Sequence, residues 1–410
     1  PPDQSCERNR KKGIDIDLGG GYKEEGKTPN NLGQFWSERP DATGGIGRGN
    51  RSRTPSISGT DGVAAPSPHK FQNRRVAMRT FKFKSCFALV VGAVFLSIAL
   101  PSYAQQGPRL RTVLPFVKLP AGSARPEGLA ADASGRIFVG LAFQRVIHVY
   151  GPDKILQTTI TLPTGVGLLG LQFDPAGNLW AADVVHGSVL KLSPPFSADS
   201  VPAATISVCG GFGAGCALNG IAFDASGNLY VSDGPGGQIF KVDLPGGTVS
   251  TFVADELLKP PPQPHGFPHL GANGLAFDAA GTALYIANTA DDRILKLDLE
   301  SMTLSTFAES LNGADGIAFD PAGRLWVACN QADEVVALNS SGGVAYIARL
   351  FYPTRIGPDG APRGLLFPAS PVISGGYIYV TNLAVAFTPK VGDELEEKVT
   401  TWTVSRIRLP

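Results

Sequence analysis

Apolar residues along the C-terminal three quarters of the chain come in short clusters broken by turn-forming residues, and one such phrase recurs. PEGLAADASGRIFVG, LGLQFDPAGNLWAA, NGIAFDASGNLYVS, NGLAFDAAGTALYIA and DGIAFDPAGRLWVA share glycines at Gly128, Gly170, Gly220, Gly274 and Gly316. A degraded sixth copy reads GLLFPASPVISGGYIYV from Gly364, and the successive spacings are 42, 50, 54, 42 and 48 residues. Repeats of this length with strand-type patterning predict propeller blades of four strands each. In the third copy, Ile221 to Phe223, Leu229 to Val231, Ile239 to Val242 and Thr248 to Val253 are the expected strands. The fold predicted is therefore all-β, a six-bladed β-propeller.

Each copy turns at an Asp followed three residues later by Gly: Asp132/Gly135, Asp174/Gly177, Asp224/Gly227, Asp278/Gly281 and Asp320/Gly323. An Asp opening a turn caps its own backbone and Gly accepts positive φ, so these aspartates are read as turn residues. The sixth copy supplies an inner strand near Leu365, a second at Tyr377 to Val380 and a third at Thr400 to Ile407, and the chain then stops. Thr112 to Leu119 is predicted to close the ring as the outer strand of that last blade, which removes exposed sheet edges.

Composition agrees: 50 Gly and 33 Pro with 17% charged residues favour strands and turns over helices. It also divides the chain. Residues 78–104 carry Met78, Arg79, Lys82 and Lys84, an apolar run from Phe87 to Leu100, and Pro101-Ser102-Tyr103-Ala104. That is the pattern of an export signal cleaved after Ala104, and its apolar run is short of the ~20 residues that span a bilayer. Cys86 precedes the run, which argues against a lipid anchor. Residues 1–77, rich in Gly, Arg, Asn and Ser, are expected to be disordered or upstream sequence outside the exported protein. The propeller, 105–410, then holds 20 basic and 26 acidic residues, net −6, which gives no support for nucleic-acid or anionic-membrane binding. The expected location is periplasmic or secreted, without a stable membrane anchor, and the expected state is a monomer. There Cys209 and Cys216, around a Gly-rich loop, are candidates for a disulfide.

The inner strands line the central channel, so residues at one offset from each turn Asp share one height. Five residues before it stand Glu127, Leu169, Asn219, Asn273 and Asp315. Asn-Gly and Asp-Gly pairs also build tight turns, which leaves a purely structural reading open for Asn219, Asn273 and Asp315. Glu127 does not fit it, because Glu is a poor turn residue. Two carboxylates and two amides converging from separate blades suit a hard divalent cation, calcium first, and no Cys or His stands at that level for zinc or copper.

These copies, the export signal and the four ring residues resemble the SMP-30/gluconolactonase/LRE family and, more distantly, paraoxonases and strictosidine-synthase-like propellers, over about residues 120 to 409. The resemblance implies a calcium-type ion held by Glu127, Asn219 and Asp315, with Asn273 matching an additional paraoxonase-type Asn, and implies hydrolysis of lactones or esters. Departures accompany it. Leu168-Leu169 stands where sugar-lactonase members place polar substrate-binding residues, and Gly316 where paraoxonases have a second ligand after the Asp.

Asp315 is the candidate base that takes the proton of the attacking water. His265 and His269 are further candidates, in a Pro-rich loop (Lys259 to His269) expected to overhang the channel mouth. His186, Asp233, Asn288, Asn330 and Asn382 are expected near the rim, most of them as turn formers. The expected partner is a small-molecule lactone or ester. The competing class is a non-catalytic propeller of the NHL type that binds a ligand or protein around a structural ion.

Overall fold

The computed structural model describes residues 107–244, 246–262, 270–350, 355–386, 392 and 394–410. Residues 1–77, the expected export signal, and His265 and His269 of the expected lid lie outside the described residues. The described chain forms six four-stranded antiparallel blades in sequence order. Their inner strands are Pro126–Ala131, Leu168–Phe173, Leu218–Phe223, Ala272–Phe277, Ala314–Phe319 and Pro368–Ser374. In the third blade the remaining strands are Leu229–Asp233, Gln238–Asp243 and Thr248–Ala254, each overlapping its predicted position.

The turn aspartates are held as their spacing suggests and do one thing more. Asp224 Oδ1 accepts from the backbone N–H of Ser226 and Asn228, both at 2.9 Å. Its other oxygen accepts from Tyr230 Oη at 3.0 Å, as Asp174 does from Trp180 Nε1 at 3.0 Å and Asp320 from Trp326 Nε1 at 2.8 Å. The turn thereby satisfies the polar tip of an aromatic whose ring is buried between blades. Three aromatics at this position of the second strand meet the Phe that ends the next inner strand edge to face. Phe138 meets Phe173 and Tyr230 meets Phe277, both at 5.0 Å, and Tyr285 meets Phe319 at 5.1 Å between centroids. The same contact thus recurs at the junctions of blades one and two, three and four, and four and five.

The sixth blade departs from the reading above. Its inner strand is Pro368–Ser374 and does not lie near Leu365. Pro368 pairs with Asn382 as Pro126 pairs with Leu141, so the counterpart of Gly128 is Ser370, 54 residues beyond Gly316, and Gly364 lies outside the strand. Gly375 and Gly376, both at positive φ between the paired Ser374 and Tyr377, replace the Asp-to-Gly turn with a two-residue hairpin loop.

Outside Pro368–Ser374, Tyr377–Asn382 and Thr403–Arg408, the fourth strand of this blade is Val113–Lys118, antiparallel to Thr403–Arg408. A three-residue strand just before it, Arg109–Arg111, adds in parallel to Val344–Ala348 of blade five. The N-terminal segment therefore ties two neighbouring blades. Arg111 reinforces the tie, with its guanidinium donating to the Arg408 carbonyl at 2.8 Å and lying 5.6 Å from the Tyr346 ring centroid. Among the described residues no helix is long and apolar enough to cross a membrane.

Candidate functional site

A register shift interrupts the pairing of each inner strand with the second strand at the same place: Pro126/Leu129, Leu168/Leu171, Leu218/Ile221, Ala272/Leu275, Ala314/Ile317 and Pro368/Pro371. The two residues inside each bulge leave the ladder, and such a bulge re-aims side chains. The first is the ring residue: Glu127, Leu169, Asn219, Asn273, Asp315 and, in blade six, Ala369. The second is Gly in five blades. None of these glycines has positive φ. A Cβ on Gly128, Gly170, Gly220 or Gly274 would lie 2.1 to 2.4 Å from the carbonyl oxygen of the next blade's ring residue. Glycine is thus required by close approach at the axis, which overturns the turn reading of Asn219-Gly220, Asn273-Gly274 and Asp315-Gly316.

The structure brings the four oxygen-bearing residues to one level of the channel. Exposures are 4% for Glu127, 7% for Asn219, 2% for Asn273 and 5% for Asp315. Asp315 Oδ2 accepts from Asn330 Nδ2 at 3.3 Å, and Asn273 also hydrogen-bonds to this carboxylate. Asn273 Nδ2 donates to Thr289 Oγ1 at 2.9 Å, and Thr289 in turn donates to the Ala314 carbonyl at 2.7 Å. With its amide nitrogen so engaged, Asn273 is left its oxygen for a ligand. Burial pushes Asp315 up to about 7 against the pull of the Asn330 and Asn273 hydrogen bonds. Burial first and then the charge of Asp315 push Glu127 well above the usual carboxylate range.

Glu127 Oε2 and Asn330 Oδ1 are buried without a hydrogen-bond partner. No salt bridge to Glu127 or Asp315 is found among the described residues. Two buried carboxylates without a cationic partner are costly, and each strengthens the other's need for one. The donor set therefore fits a hard divalent cation. Among the described residues no three His, Cys, Asp or Glu side chains come together, so any such cation relies on the amides as well as the two carboxylates. From Asn219, Asn273 and Asp315 a cavity of about 470 Å³ runs down the inner strands to Phe173, Phe223, Phe277 and Phe319.

The rim residues separate into two kinds. Asp183, Asp233, Asn288 and Asn382 end their second strands and serve the backbone. Asp233 Oδ1 accepts from Ala217 N at 3.0 Å, Asn382 Oδ1 from Leu366 N at 3.1 Å, and Asn288 Nδ2 donates to the Leu257 carbonyl at 2.8 Å. His186 is held by Asp183 at 2.6 Å. The next residue along is different: Thr289 and Asn330 reach the ring. Sequence reasoning missed Thr289 and placed Asn330 among turn formers, although both directly follow the last residue of a second strand. Cys209 and Cys216 form a disulfide, S–S 2.02 Å, and Phe212 in the loop it closes packs beside Leu169 and Val184.

Residues 265–355 match the family model of the SMP-30/Gluconolactonase/LRE-like region. The matched region spans blades four and five of the propeller. No curated protein matches it in sequence. Among solved structures, a calcium-binding protein, regucalcin, from Agrobacterium tumefaciens superposes with a TM-score of 0.53 at 16% identity, over 74% of this chain and 97% of that one. A luciferin-regenerating enzyme superposes with a TM-score of 0.52 at 14% identity, over 72% and 94%. At these identities the likeness is one of fold.

Proposed function

We propose that the protein is a divalent-cation-dependent hydrolase of lactones or related esters. The observation that carries this reading is the pair of buried carboxylates, Glu127 and Asp315, lacking any cationic partner among the described side chains while two amides stand at the same level. Glu127, Asn219, Asn273 and Asp315 would hold the ion, calcium in the first instance. Once bound it supplies Lewis-acid polarisation of a carbonyl oxygen and stabilises the charge that develops there. Asp315, oriented by Asn330, takes the proton of the attacking water as its oxygen bonds to the carbonyl carbon. The carbon–oxygen bond of the ester then breaks, and the proton passes to the departing alkoxide oxygen.

The test is elemental analysis of the purified protein followed by a lactone and ester panel with and without chelator. Turnover lost on chelation and restored by calcium is the expected result. A bound ion with no chelator-sensitive turnover would instead favour the non-catalytic binding propeller, since a fold alone does not choose a function.

A further inference from the structure

The side chains around the ring divide by blade. In blades four and five, the residue that follows the second strand reaches the ring residue of its own blade: Thr289 touches Asn273 and Asn330 touches Asp315. In blades two and six the same position is Val184 and Leu383. Val184 packs with Leu169, and Leu383 packs with Ala369. Glu127 thus sits in blade one between two blades whose ring residues and overlying residues are all aliphatic. In blade one itself that overlying position is Ala142, in the same cluster as Val184.

We infer that the substrate is a lactone or ester whose non-reacting part is apolar, and that Leu169, Val184 and Leu383 determine that specificity. This rests on the hydrolase reading above. A carbonyl polarised at the ring has hydrogen-bonding side chains on the side of blades three to five. Whatever extends from it across blades six, one and two meets aliphatic carbon around one ion-binding carboxylate. A hydroxyl placed there gives up its water for nothing, a loss of about tenfold per group. A methylene placed there gains about fourfold. A polyhydroxylated lactone is therefore disfavoured against an alkyl lactone of the same ring size by about 100-fold or more.

The experiment compares δ-gluconolactone with 5-pentyl-δ-valerolactone, using the calcium-loaded full chain. The alkyl lactone is expected to have the higher kcat/KM by about 100-fold. Val184→Thr combined with Leu383→Asn, neither of them a ring residue, should cut that preference at least tenfold, acting on KM more than on kcat, with calcium affinity unchanged by calorimetry. Should that variant not fold, Val184→Thr alone, nearly the same shape, should still lower the preference severalfold. Equal or better use of gluconolactone by the wild type, or a preference that survives in folded variants, overturns the inference. If neither lactone is turned over, the hydrolase reading falls, and calorimetry with the same two lactones decides this one separately: tighter binding of the alkyl lactone sustains it, and equal or weaker binding sinks it.

Discussion

Blades three to five and blades six, one and two share a backbone, the same bulge and, in all but blade six, the same glycine, yet they furnish one end of the channel in opposite ways. The first arc offers Asn219, Asn273 and Asp315, with Thr289 and Asn330 behind two of them. The second offers Ala369, Glu127 and Leu169, with Leu383 and Val184 against the flanking pair. The two carboxylates consequently live differently. Asp315 receives hydrogen bonds that offset part of its burial, whereas Glu127 Oε2 has none. A charge set alone in an apolar arc stabilises nothing by itself, so its presence is the stronger sign of an absent counter-charge.

The sharpest way to break the comparison is to remove each charge without changing shape. Glu127→Gln and Asp315→Asn should both abolish calcium binding by calorimetry and lower kcat/KM by about a thousandfold, the order expected for losing electrostatic stabilisation at a reacting carbonyl. In chelator the two should part. Glu127→Gln should raise stability by about 1–2 kcal/mol, because it deletes a buried carboxyl that is costly to hold without a partner, whether it keeps its charge or takes up a proton. Asp315→Asn should gain less, since it also disturbs accepted hydrogen bonds. If Glu127→Gln destabilises the cation-free protein, the side chain has a partner that this account lacks.

The next test asks whether the arcs differ only in side chains. Gly128→Ala, whose Cβ would lie 2.1 Å from the Leu169 carbonyl oxygen, and Gly274→Ala, 2.4 Å from that of Asp315, probe the axis in each arc. Both should cost about 3 kcal/mol in denaturant unfolding, because backbone cannot yield as a side-chain tip can. Unequal losses would mean that the two arcs are packed differently at the backbone.

How far the sequence disclosed all this follows from what is local. The blades were legible because each inner strand announces itself with an apolar triplet and an Asp-to-Gly turn, and the ring because it keeps a constant offset from that turn. Blade six hid its ring residue: a Gly375-Gly376 hairpin replaces the turn and Ser370 the glycine, so counting from Gly364 landed on a loop. Arg109–Arg111 gave no signal, being too short for alternation and paired to a blade more than 200 residues away. Thr289 and Asn330 matter only through contact across two strands, which no one-dimensional pattern records.

A third prediction uses pH. Burial raises both carboxylates in the cation-free fold, Asp315 to about 7 and Glu127 well above its usual value. The native state then holds protons that the unfolded chain has released above pH ~4. The pair's contribution to stability is therefore full below pH ~4 and is lost as pH rises through the folded values. In chelator, Tm should fall as pH goes from about 5 to 8, apart from what other groups add. Excess calcium should flatten that fall, because the ion favours the charged forms, and calcium affinity should weaken on acidification as protons compete. A calcium affinity indifferent to pH across this range would separate the ion from Glu127 and Asp315.

The smallest effects lie behind the polar arc. Asn330→Ala removes the donor to Asp315 and should lower kcat by about tenfold with KM little changed, while His265→Gln and His269→Gln should stay within about twofold if Asp315 is the base. Thr289→Val is finer still. The hydroxyl of Thr289 accepts from Asn273 and donates to the Ala314 carbonyl, so it fixes which end of the Asn273 amide is offered to an ion. Valine keeps the shape and removes both bonds, at about 1–2 kcal/mol of stability. Asn273 can then rotate its amide, and calcium affinity should drop by about three- to tenfold with the alkyl-lactone preference untouched, because that preference belongs to the other arc. Thr289→Ser, which restores the hydroxyl, should recover the affinity. An affinity left intact in the Val variant would assign Thr289 to packing alone.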